Sequence, residues 1–279
     1  MKSTVAAAAA IALALAATTA SAGVVISQEA VTKVHGRDRK VEQTVMIQGH
    51  KRKVIASEKG TVTRETVTDV DAGKIYMIFP KVKQFAEFKF PPEKALALMV
   101  VWEESTIDLD KKTDGTDKVA GYACQDYAGS SVFIFNNIDV TKCLATAAPG
   151  AKEFFEFEKA LAQKLQGTPL APKGEIPYGI PVSATFTSQL VPFTPPAKMP
   201  PEEAAKVKEK LAKYRPVTSN VTVSKIEVKD IPADAFVVPA GYTPAPAATL
   251  PQPLTPPVKP GSASAPPGSS TKPGAPTAL

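Results

Sequence analysis

The sequence predicts an α+β protein: an antiparallel sheet with one apolar face, helices to cover that face, and a C-terminal tail unable to fold. Three observations predict it. Between Val41 and Phe90, short runs alternate apolar and polar residues, the period-two signature of strands with one dry and one wet face. Two later stretches carry apolar residues in an unbroken run or at helical spacing. The last 37 residues, 243–279, hold 11 prolines among Ala, Ser, Gly and Thr, too little apolar surface to offset the entropy of ordering.

Residues 1–22 read as a secretory signal. Lys2 is the positive start, Val5 to Ala17 the apolar stretch, and Ala20-Ser21-Ala22 a small-residue cleavage site before Gly23. The apolar stretch is short for a membrane anchor. The mature chain is therefore expected to be exported, to the periplasm or beyond. The formal charge of +6 is mild and spread along the chain, which argues against nucleic acid as a partner.

Gly23 to Lys33 is the first expected strand, followed by a charged turn, HGRDRK. VEQTVMIQ places Val41, Val45 and Ile47 on one face, with Gln43 a polar gap; GKIYMIF does the same with Ile75, Met77 and Phe79. In KVKQFAEFKF, Val82, Ala86, Phe88 and Phe90 alternate with charges. Lys51 to Ser57 and Thr61 to Val70 complete the meander, and the thin apolar face of the latter suggests a place near an edge. Gly49-His50, Lys59-Gly60, Ala72-Gly73 and Pro80-Lys81 supply the turns. The result is a sheet with a single apolar face.

Ala95 to Trp102 is eight apolar residues in a row after Pro91-Pro92. Prolines at the start and Ala, Leu and Met within favour a short buried helix; a buried strand is the alternative. Asp114-Gly115 signals a hairpin between Ile107–Lys112 and Val119–Tyr127, and Val132 to Asn136 is a further strand. Pro149 to Leu165 reads as an amphipathic helix with Phe154, Phe157, Leu161 and Leu165 on one stripe. After the strand Pro181 to Leu190, the insert Pro192 to Pro216 holds a surface helix with a Glu202–Lys206 pair. Val217 to Val228 closes the domain, its apolar parity flipping at Ser224-Lys225, where a bulge is expected.

Cys124 and Cys143 are the only cysteines. In an exported chain the pair favours a disulfide, the alternative being two buried thiols. No catalytic, metal or nucleotide motif occurs, so no catalytic residue, metal or cofactor is assigned and the chain is not expected to be an enzyme. His35 and His50 lie among basic residues in expected turns. The basic clusters, residues 33–40 and 50–53, read as solvated turns or, alternatively, as contacts for anionic lipid or polysaccharide. The run from Asp108 to Asp117 lacks calcium-loop ligands, with Lys112 third and Gly121 twelfth counting from Asp110. Asn220-Val221-Thr222 has the form of a glycosylation sequon.

The large apolar residues of the meander and of the stretch after it, Val45, Ile47, Ile75, Met77, Phe79, Phe88, Phe90, Leu98, Met99 and Trp102, make either an ordinary core or the lining of an apolar cavity. The order of parts, with DKVAGYACQDY (117–127), EIPYGIPVSATFTSQ (175–189) and IEVKDIPADAFVVPAGY (226–242), resembles the LolA- and LolB-like lipoprotein-carrier superfamily, and within it a bacterial exported branch of unknown function. The resemblance spans residues 23–242. It implies an unclosed half-barrel, a curved antiparallel sheet wrapped around helices, whose apolar concave face takes lipoprotein acyl chains. The expected function is thus binding of a lipid or lipidated ligand. The alternative is an interaction module of the envelope that uses the tail to reach an envelope protein or the cell wall.

Overall fold

The computed structural model describes residues 22–34, 37–89, 109–133, 136–168, 171–172, 174–190, 199–212 and 216–246. The expected signal stretch, the apolar run 95–102 and the tail beyond residue 246 lie outside these.

The described strands form one open sheet of 12. Six come from the N-terminal meander: β1 (Gly23–Val34), β2 (Arg37–Gln48), β3 (Lys51–Glu58), β4 (Thr61–Asp69), β5 (Lys74–Phe79) and β6 (Gln84–Lys89). Five follow: β7 (Lys111–Val119), β8 (Tyr122–Phe133), β9 (Asn136–Ala145), β10 (Ile180–Leu190) and β11 (Val217–Lys229), then the short β12 (Thr243–Pro244). The order is β12-β6-β5-β4-β3-β2-β1-β11-β10-β9-β8-β7. β1 is therefore central, pairing antiparallel with β2 on one side and β11 on the other. The helices α1 (Ala151–Leu165) and α2 (Pro201–Ala212) complete the described elements, with 3₁₀ turns at Pro80–Val82 and Ala233–Phe236.

Alternation in the meander buries both faces of the sheet rather than one. On the inner face Val24, Ile26, Val45, Ile47, Val54, Ile75, Met77, Ala86 and Phe88 join the α1 stripe of Phe154, Phe157, Leu161 and Leu165 in one cluster. On the outer face Val25, Val67 and Ile78 are buried with Met46, Tyr76 and Phe85 packed against them. Ile231 and Phe236 cover that second cluster, with Val238 and Tyr242 against it. The phrase after β11 is thus a strap across the outside of the meander. It ends parallel to β6, where Thr243 N–H donates to Lys83 O at 3.1 Å and Ala245 N–H to Phe85 O at 2.7 Å.

β4 is not near an edge. It lies between β3 and β5, with Val67 buried on one side and Thr66 and Thr68 buried on the other. Threonine offers a methyl group to each packed surface, which apolar counting misses. Val82 does not continue the β6 alternation; it is exposed in the 3₁₀ turn after Phe79. Arg37 to Lys40 are not a turn but the exposed start of β2.

Asp114-Gly115 does not turn the chain. Both residues lie inside β7, where the register with β8 shifts between Lys112 and Thr116. The Gln125 amide holds the bulge by donating to Thr113 O at 2.6 Å and Gly115 O at 2.7 Å. The turn is instead Ala120-Gly121, with φ of 50° and 88°, positive values that a two-residue hairpin requires and glycine meets without strain. Of the strand expected over Val132 to Asn136, Val132 and Phe133 end β8 and Asn136 begins β9, residues 134–135 lying outside the described ones.

Other expectations hold. The β1–β11 register shifts between Ser27 and Gln28, leaving Ser224 as the extra residue, so Val223 and Ile226 both reach the inner core. Glu202 and Lys206 pair at 2.6 Å on α2. Cys124 and Cys143 form a disulfide between β8 and β9, with Cα atoms 5.3 Å apart, 19 residues apart in sequence. Closing a loop of that length predicts that Cys124→Ala/Cys143→Ala lowers stability by about 3 kcal/mol in urea unfolding. Phe236→Ala, which strips the strap of its buried ring, should cost about 3–5 kcal/mol in the same measurement.

Candidate functional site: the inner face under α1

The inner face brings together part of the residue set singled out from the sequence. Val45, Ile47, Ile75, Met77 and Phe88 are buried in one cluster beneath α1, and Phe79 packs against it. Phe90, Leu98, Met99 and Trp102 lie outside the described residues. The polar gap in β2 is explained by register: Gln43 faces Gln28 of β1, whose amide donates to it at 2.7 Å.

Two polar contacts fix α1 over this face. Its first turn offers Glu153, whose carboxylate accepts the Gly49 N–H at 2.6 Å. In its middle, Glu158 is fully buried and lies 3.8 Å from Arg52 of β3, whose guanidinium stands 5.1 Å from the Phe157 ring. Gly150 allows the close entry of the helix. Its φ is 79°, and a Cβ there would meet Val24 at 2.6 Å.

Arg52 and Lys53 correct the reading of residues 50–53 as a solvated turn. Only His50 is in the turn; Arg52 and Lys53 are buried on opposite faces of β3. Each has a carboxylate from a neighbouring element: Glu158 for Arg52, and Glu65 for Lys53 at 2.7 Å. The sequence signal was there, because the apolar alternation of Val54 and Ala56 continues back through Arg52. His50 bonds Asp71 at 2.8 Å between two turns, and Lys51 pairs with Asp69 at 3.1 Å. The His50–Asp71 pair is exposed on both sides. Among the described residues, no three or more His, Cys, Asp or Glu gather where they could hold a metal ion, and no helix is long and apolar enough to cross a membrane.

Beside Phe154 lies a cavity of about 30 Å³, bounded by β1, β2, β9, β10 and β11. Its wall includes Ile26, Gln28, Val45, Lys142, Ala184 and Phe186. Sequence reading passed over Lys142, although it occupies the buried parity of β9 between Val140 and Leu144. It also passed over Arg52 and Glu158 as partners, since 106 residues separate them (158 − 52).

No protein-family model matches the chain, and no curated protein matches it. Among solved structures it is similar to a domain described as an outer membrane lipoprotein-sorting protein from Vibrio parahaemolyticus. That alignment has 5% identity and a TM-score of 0.30, covering 77% of this chain and 88% of the other. It is also similar to a LolA superfamily protein from Nitrosomonas europaea, at 8% identity and a TM-score of 0.30, over 78% of this chain and 90% of that one.

The buried pair between sheet and helix yields a prediction. Arg52→Met alone leaves the Glu158 carboxylate in the core without its guanidinium and should cost about 3–5 kcal/mol, whereas Arg52→Met/Glu158→Leu should recover most of the loss. Urea unfolding of both variants measures the difference; equal losses would show that the pair acts through packing alone.

Proposed function

We propose that this chain is a non-enzymatic exported protein of the cell envelope that holds a lipid or lipidated ligand against the inner face of a half-barrel, beneath α1. The observation that carries this reading is a continuous apolar inner face whose helical cover, among the described residues, is α1. Apolar side chains run along the inner face from Phe88 on β6 to Ile26 on β1 and Val223 on β11. A sheet of 12 strands is on the order of 50 Å across at about 4.8 Å per strand. A helix is about 10 Å wide, and α1 is the described helix buried on that face, α2 being largely exposed. Nearly all of the cover is apolar, with polar ties at Gly49–Glu153 and Arg52–Glu158.

The cavity of about 30 Å³ beside Phe154 has room for about two waters at 10–15 Å³ each. An acyl chain therefore enters as α1 moves away from the sheet. Phe90, Leu98, Met99 and Trp102, from the apolar stretch between β6 and β7, are proposed as the remaining wall. Export follows in this reading from the signal stretch at residues 1–22 and from a disulfide, which persists in oxidising compartments.

Native mass spectrometry with lipid extraction, on the mature protein purified from its own envelope, tests the proposal. A co-purifying acyl species that departs on denaturation is expected. A clean apo mass, under conditions that preserve a known lipid complex, would overturn the reading.

A further inference from the structure

β6 is paired along only part of its outer edge. β12 runs parallel to it, with Thr243 opposite Gln84 and Pro244 opposite Phe85. Among the described residues, no strand pairs with Glu87 to Lys89 on that side. The bonds that are made alternate: Thr243 N–H donates to Lys83 O and Ala245 N–H to Phe85 O. In such a ladder every second residue turns its N–H and C=O toward the neighbouring strand, and the residues between turn theirs away. Pro244 and Pro246 hold the positions turned away and are exposed, where a missing N–H costs the ladder nothing. On β6 the same alternation aims the backbone groups of Glu87 and Lys89 outward, an open row that would template another strand.

The residues that follow fit the same alternation. Ala247 and Thr249 fall at donating positions and carry N–H groups, and the next donating position that lacks one is Pro251, which comes level with the chain beyond the end of β6 at Lys89. We infer that the free edge of β6 is a docking site for the chain's own tail, residues 247–249, which continue β12. Ala247 N–H then donates to Glu87 O, Thr249 N–H donates to Lys89 O, and Ala247 O accepts the Lys89 N–H. The tail is favoured over a strand from another molecule because Ala245 already fixes its direction and register two residues away, which makes the next bonds intramolecular. The prolines at 244 and 246 then line the new outer edge, the side on which a further strand would have to pair, so the same segment that closes β6 resists extension of the sheet.

Amide hydrogen exchange, followed by NMR on the full-length mature protein, tests this at the Lys89 N–H. Wild type should protect that amide. Ala247→Pro removes the donor to Glu87 O and should speed its exchange about tenfold. Ala248→Pro puts the same ring on the outward side and should leave the exchange unchanged. The two substitutions restrict the chain equally, so only the side of the ladder differs between them. An unprotected Lys89 amide in wild type would overturn the inference, and so would equal effects of the two prolines. Protection that rises with protein concentration would also overturn it, by placing a strand of a second copy on the edge. The first comparison is made on wild type, so it does not depend on how a variant folds.

Discussion

The fold depends on the pairing of β1 with β11. Gly23 lies opposite Lys229 and Lys33 opposite Thr218, so residues about 200 apart join the two halves of the sheet. Without that seam the meander β1–β6 and the strands β7–β11 would each present an unpaired edge and half of an apolar face. The seam has a defect at Ser224, where β11 carries one residue more than β1. Because side-chain direction alternates, one extra residue reverses every side chain beyond it. Here the reversal keeps Val223 and Ile226 both in the core under α1, which a regular strand would not.

Two covers follow from that continuous sheet. α1 lies inside, and the strap after β11 lies outside, with Ile231 and Phe236 on Val25, Val67 and Ile78. The strap also ends along β6, one of the two strands that would otherwise bound the sheet; the other, β7, is guarded by charge, with Lys111, Lys112, Asp114, Asp117 and Lys118 exposed along it. Elsewhere charges meet across strands, as in Lys40–Glu29, Lys51–Asp69 and Lys74–Glu87. Along the meander, charged side chains are thus met by opposite charges on the neighbouring strand.

Local chemistry made much of this legible. The stripe of Phe154, Phe157, Leu161 and Leu165 announced α1 through its spacing, and the parity flip at Ser224-Lys225 announced the bulge. Legibility failed where a local signal was outweighed by pairing. Asp114-Gly115 has the composition of a turn, but Gln125 reaches across from β8 to hold it as a bulge, and the chain turns at Ala120-Gly121 instead. Thr66 and Thr68 look like the face of an edge strand until both sides of β4 are seen to be covered.

The sequence by itself determined the periodicities: which residues form strands, which helix is amphipathic, and which apolar residues of β2, β5 and β6 share a side. These are properties of neighbours along the chain, set by repeats of two and of 3.6 residues. The tertiary structure alone decided that β1 is central, that the outer face has its own cover, and that Arg52, Glu158 and Lys142 are buried. Each of those outcomes joins residues far apart in the chain, and a charged side chain has the same local signature whether water or a distant partner receives it.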